Sequence, residues 1–335
     1  MLINKKRESV RYAVFFFAFL ILYSFIVVRR CALPELGAGT YLFHCVDFDF
    51  GFCSKFLPGA IYNLFVSAPS QTTAAVYETI LLILGFAVTA CYLSRFYVGV
   101  PYEYKKTALI LIGFFCTGSC TLAPYAYQLG MLDVYWIYIS LIYIAALKTK
   151  YAKWLLCPAL LFTTSMIHYG TIITYIPFLC LLTLYEAAKE NDKKEKTKKI
   201  LLLFLCMTVA LSGFLYFLAN DKKNVTCTMS EFDETVTARG AQMTRYFDTS
   251  LFSTPENYSE EFLEKYYYNG EYPESPYTPI FEGERLSAVQ KLVNALAYQL
   301  QYQAYTFKNM GMAKSVFTEG AVLLLLLLPM LILFY

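Results

Sequence analysis

The sequence predicts an all-α protein, a polytopic transmembrane helix bundle, and three observations carry that prediction. Of the 335 residues 58% are hydrophobic and only 16% charged, where an ordinary soluble domain carries roughly 25% charged residues. The apolar residues come in unbroken blocks rather than amphipathic repeats, which makes lipid their expected solvent. Lysine and arginine gather between alternate blocks, as they do in cytoplasmic loops. The formal charge of +3 adds little, because membrane proteins sort charge by side and not by total.

The first block, Tyr12 to Val28, follows Lys5, Lys6, Arg7 and Arg11 and stops at Arg29 and Arg30. No small-residue cleavage site follows it, so it reads as an uncleaved anchor with a cytoplasmic N-terminus. A spanning helix needs about 20 apolar residues. Further candidates are 77–94, 107–123, 132–147, a long block 154–187, and 200–218. A last run, 321–335, stops after 15 residues and is expected to start a further helix of a truncated chain.

Sixteen of the 28 basic residues lie in four short segments: before the first block, in 95–106, in 148–153 and in 189–199. Placing all four in the cytoplasm gives both flanks of block 154–187 the same side. That block must then go out and return, with its break expected at Ile167-His168-Tyr169-Gly170. One long tilted helix is the alternative, and the basic flanks disfavour it. The division expected is a bundle over 1–218 and a large extracytoplasmic loop over 219–319. The loop carries 14 acidic and 9 basic residues. Its stretch 254–283 reads as irregular chain and 284–307 as an amphipathic helix.

The first external loop, 29–76, contains HCVDFDFGFCSKFLPGAIYNLFV. Phe52, Phe56, Leu57, Ala60, Ile61, Leu64 and Phe65 recur there at helical spacing, opposite Ser54, Lys55 and Asn63. That pattern predicts a helix lying in the membrane interface. Six cysteines (Cys91, Cys116, Cys120, Cys157, Cys180, Cys206) fall inside apolar blocks as small packing residues. Cys31, Cys45, Cys53 and Cys227 fall in external loops, where a disulfide among them is open. With only His44 and His168 as histidines and no C-x-x-C, nothing spaces like a zinc site.

Among chemistry-bearing residues, Asp47-Phe48-Asp49 stands out. Two carboxylates two residues apart in extended chain point the same way; they could share a cation, or one could act as a base that the other orients. A solvated turn would show the same tripeptide, but these aspartates sit among Phe43, Phe48, Phe50 and Phe52. Asp133 opens the fourth block, where an aspartate also suits a helix N-terminus. His168 marks the hairpin break, Lys55 could hold a phosphate, and Arg239 and Arg245 are further anion-binding candidates. Each also has an ordinary reading: packing histidine, snorkelling lysine, loop charge. Asp49-Phe50-Gly51 copies a kinase tripeptide without the other kinase elements. Asn224-Val225-Thr226 and Asn257-Tyr258-Ser259 are sequons only in a glycosylating host.

A cytoplasmic N-terminus, a long first external loop with a D-x-D motif, and an interfacial helix directly after it resemble the GT-C superfamily of membrane glycosyltransferases. The resemblance covers 1–218 by topology and Asp47 and Asp49 by motif. It implies transfer from a polyprenyl-phosphate-linked sugar, with those aspartates as catalytic base or as ligands of a divalent metal, Mg or Mn. Lys55, Asp133, His168, Arg239 and Arg245 would bind substrate. The implied setting is the cytoplasmic membrane, with the bilayer and a lipid-linked sugar as partners and no nucleic acid. Topology agrees chemically: nucleotide sugars are cytoplasmic, so an outward D-x-D needs a donor that has already crossed. The chain is short for that superfamily and its large loop comes late. The late loop also resembles polysaccharide polymerases and O-antigen ligases, in which Arg239, Arg245 and His168 would matter more. A transporter or flippase using Asp133 and His168, and a non-catalytic scaffold, are the remaining readings.

Overall fold

The computed structural model describes residues 2–28, 36–117, 134–168 and 175–242, with residues 122, 129–130, 132, 251–252, 280–281, 287, 290, 293–294 and 297 besides. Among them the chain is helical, with one isolated antiparallel bridge, between Gly51 and Val225, in place of a sheet. The helices are α1 (Leu2–Ile21, continued by a π-helical stretch Leu22–Val28), α2 (Ala38–Cys45), α3 (Phe56–Phe65), α4 (Gln71–Gly99) and α5 (Lys105–Thr117). They continue as α6 (Val134–Leu147), α7 (Lys153–His168), α8 (Ile176–Ala188), α9 (Lys193–Asn224) and α10 (Met229–Ala238). Among the described residues three stretches are long and apolar enough to cross a membrane: Lys6–Phe25, Gln71–Gly99 and Lys193–Asn224. Shorter apolar helices are Phe56–Phe65, Val134–Leu147 and Ile176–Ala188.

Among the described residues the apolar block 154–187 holds two helices, α7 ending at His168 and α8 beginning at Ile176. Helix α8 has a proline, Pro177, in its first turn, where the missing N–H leaves no bond unmade. The expected helix at 284–307 and the last run 321–335 lie outside the described residues.

The chain forms two compact units. One comprises, among the described residues, 2–28 and those of 75–137. In it the N-terminal half of α1 meets the C-terminal end of α4: Ser9 and Ser94 share a hydrogen bond of 3.2 Å, and Tyr12 stands edge-on to Tyr97 at 4.6 Å. At the far end of α1, Tyr23 donates to the Thr117 carbonyl of α5, while Lys105, at the start of α5, lies 5.5 Å over the Tyr97 ring. Helices α1 and α5 therefore run the same way, opposite to α4.

The second unit comprises Leu36–Ala74 and Tyr138–Tyr302. Its centre is α9, packed against α7 and α8, with α3 against α2 and α7. Tyr143 of α6 is wholly buried and reaches Thr183 of α8 at 2.7 Å and Cys206 of α9 at 3.7 Å. One phenol thus gives three apolar helices a shared register, because its hydroxyl has no water to turn to.

Candidate functional site

The candidate site lies in the second unit, on the chain between α2 and α3. Helix α2 stops at Cys45, and Val46 is extended. Asp47 then caps a 3₁₀ turn over Phe48–Phe50: its Oδ1 accepts the Asp49 N–H at 3.0 Å. Its Oδ2 accepts from Asn63 Nδ2 of α3 at 2.6 Å. Asp47 is therefore half-buried and held from two directions, while Asp49 is exposed.

Gly51 ends the turn at φ 120°, a region open to glycine at little cost. The turn is strapped to the chain after α9. Thr226 N–H donates to the Phe50 carbonyl at 3.0 Å, Thr226 Oγ1 to the Asp49 carbonyl at 3.3 Å, and Asn224 Nδ2 to the Phe52 carbonyl at 2.9 Å. Phe50 is buried against Phe56 and Phe232, whereas Phe48 and Phe52 face outward.

Arg239, the C-cap of α10, comes to the same turn. Its guanidinium donates to the Cys45 carbonyl and lies 5.6 Å over the Phe50 ring. The aspartate pair and this arginine, 190 positions apart for Asp49, thus share one short stretch of chain.

Lys55, which is buried, and His168, which is half-buried, belong to a second cluster. The interfacial helix was expected from Phe52 with Ser54 and Lys55 on a polar face. It begins instead at Phe56, because Lys55 adopts the left-handed conformation, φ 72°, at a cost of roughly 1–2 kcal/mol for a residue with a Cβ. Ser54 is fully buried and Lys55 is 3% exposed. Ser54 N–H donates to Asp221 Oδ1 at 3.0 Å and its hydroxyl to Asp221 Oδ2 at 2.5 Å. Cys53 Sγ donates to the Asp221 carbonyl, and Lys55 N–H to the Met166 carbonyl in the last turn of α7. The Lys55 ammonium is in electrostatic reach of both Asp221 and His168. Three segments are clamped here: the 53–55 turn, the end of α9 and the end of α7.

Asp221 is the residue that sequence reasoning missed. Glu78 of α4, fully buried beside Tyr135 in the first unit, is another ionisable group it passed over. Asp133 and Arg245 lie outside the described residues. Cys45, Cys53 and Cys227 are free thiols. Burial pushes the Cys45 thiol up to about 11 and the Cys53 thiol up to about 12, so both stay protonated and poorly nucleophilic. Cys31 is outside the described residues.

Helix α10, which carries Arg239, starts with a capping box. Thr228 Oγ1 accepts the Glu231 N–H, and the Glu231 carboxylate accepts from the Thr228 N–H and hydroxyl. Those Thr228 donors hold the Glu231 carboxyl below the usual carboxylate range. Its stabilisation is complete above the ordinary glutamate pKa, about 4.3, and is lost as pH falls through the lowered value. Thr228→Ala is expected to cost about 1 kcal/mol. Acidification below about pH 4 is expected to lower the amide protection factors in 229–239 of the wild type, and much less in Thr228→Ala. Hydrogen exchange followed by mass spectrometry checks both.

What fold and site define together is a helical protein with membrane-length apolar helices and a polar, hydrogen-bonded turn presenting an exposed carboxylate. No family model, curated protein or solved structure matches the chain.

Proposed function

We propose that the chain is a membrane glycosyltransferase that moves a sugar from a polyprenyl-phosphate-linked donor to a lipid or glycan acceptor. In this reading it sits in the cytoplasmic membrane with its N-terminus in the cytoplasm, and the Asp47–Asp49 turn and α10 face outside. The observation that carries it is the meeting of the Asp47–Asp49 turn with Arg239, directly ahead of the apolar helix α3. Asp49 is the exposed carboxylate and acts as base. Asp47, fixed by Asn63, orients the turn. An acceptor hydroxyl attacks the anomeric carbon, Asp49 takes its proton, and the bond from that carbon to the phosphate oxygen breaks. Arg239 supplies positive charge for the departing lipid phosphate.

The donor set does not by itself make a divalent-metal centre. Both oxygens of Asp47 already accept hydrogen bonds, and no group of three His, Cys, Asp or Glu gathers among the described residues. No step is therefore routed through Mg or Mn. Lys55 and His168 support the turn from behind, since Lys55 is buried.

The position of Arg239 equally favours a polysaccharide polymerase or O-antigen-ligase-like activity on lipid-linked glycans. Substitution separates the two. Asp49→Asn at unchanged protein level is expected to lower glycan transfer by about 10²–10⁴-fold, the usual size of a lost general base. Retained transfer in Asp49→Asn together with loss in Arg239→Ala selects the second activity. Normal glycans in both variants reject both.

A further inference from the structure

At the opposite end of α9 from Asp221, acidic and basic residues are unequally matched. Glu190 pairs with Lys199 at 3.0 Å and Glu195 with Lys198 at 2.5 Å. Asp192 is spent as the N-cap of α9, accepting the Lys194 N–H. Once these acids are engaged, Lys148, Lys150, Lys189, Lys193, Lys194 and Lys196 remain exposed around them. They come from three places: the α6–α7 turn, the end of α8, and the first turn of α9. These places share one end of the second unit. Lys199 Nζ reaches back to the Glu186 carbonyl, and Lys153 and Tyr151 act electrostatically on Glu195 and Lys198.

Immediately beyond this rim the same helices turn apolar and exposed, with Leu155, Leu181, Leu201 and Phe204 each more than half accessible. Between lie two exposed tyrosines, Tyr151 and Tyr185, each with a lysine ammonium over its ring, Lys150 at 5.0 Å and Lys189 at 4.1 Å. An apolar belt, an aromatic level and a lysine rim, in that order along three helices, reproduce the profile of a lipid leaflet from acyl chain to headgroup. Lysines held at headgroup level attract anionic lipid, and the attraction decays over a Debye length of about 8 Å at physiological salt.

We infer that the lysine rim formed by the α6–α7 turn, the end of α8 and the start of α9 is a docking surface for anionic phospholipid headgroups. This inference does not rest on glycosyl transfer.

The test is lipid retention by the purified full chain. Delipidated protein is exchanged into equimolar zwitterionic and anionic phospholipid, re-isolated, and its bound lipid measured by mass spectrometry. The wild type is expected to enrich the anionic lipid roughly fivefold, and the enrichment is expected to fall at high salt. Changing the six lysines to glutamine should bring the ratio to that of the input. Changing the same six to arginine should keep it, which separates charge from folding. Lys222→Gln with Lys223→Gln, at the other end of α9, should leave it unchanged. Input-ratio lipid on the wild type, or equal enrichment on the glutamine variant, overturns the inference.

Discussion

Gly59→Ala is expected to break the corner between α2 and α3. A methyl group at Gly59 would sit 1.8 Å from the Val46 carbonyl oxygen and 3.1 Å from that of Phe43. Both obstacles are backbone, so no rotamer change relieves the clash, and α3 must move off α2. Overpacking costs typically 1–3 kcal/mol with larger values where nothing can give; about 3 kcal/mol is expected here. Because Asn63 rides on α3, its bond to Asp47 goes with it. Thermal unfolding in detergent should show a large loss, and sugar transfer should fall even below the melting point. Gly51→Ala is expected to behave alike, since its Cβ would lie 2.0 Å from the Asn224 carbonyl oxygen at a φ that alanine resists.

Asp221→Ala is the second large effect. It leaves the buried Ser54 N–H and hydroxyl without an acceptor and removes a carboxylate from beside Lys55. Two hydrogen bonds to a charged group, at about 1.5 kcal/mol each, set a loss of about 3 kcal/mol. Ser54→Ala removes only the hydroxyl bond and should cost roughly half as much. Equal stability of wild type and Asp221→Ala would mean that the clamp contributes nothing. The comparison is a melting series in one detergent.

The helices were legible in the sequence because an apolar block in lipid needs no partner to show itself. The runs near 12–28, 77–94 and 200–218 became α1, α4 and α9, and α7 ends at His168, while residues 169 and 170 of the expected break lie outside the described residues. What was illegible depends on long-range contact. Asp221 lies in Asp-Lys-Lys-Asn after an apolar run and looks like a solvated helix end, yet its partner Ser54 is 167 residues away. Ser54 and Lys55 fit a helical polar face by spacing, but the left-handed turn at Lys55 buries them and moves the helix start to Phe56. Asp47 and Asp49 were visible as a pair. That one is a tethered cap and the other an exposed carboxylate follows from Asn63, 16 residues on. Arg239 was visible as an anion-binding candidate, but its place over Phe50 required α10 to fold back.

The central claim is that Asp49 performs proton abstraction during transfer from a lipid-phosphate sugar. The most direct test incubates purified wild type, Asp49→Asn and Asp47→Asn with a polyprenyl-phosphate-linked sugar and an acceptor. Release of free polyprenyl phosphate is followed over time. The account predicts turnover by the wild type and near-complete loss of that turnover in Asp49→Asn at an unchanged melting temperature. Asp47→Asn should be impaired but retain measurable turnover. Donor cleavage by Asp49→Asn at the wild-type rate would contradict it.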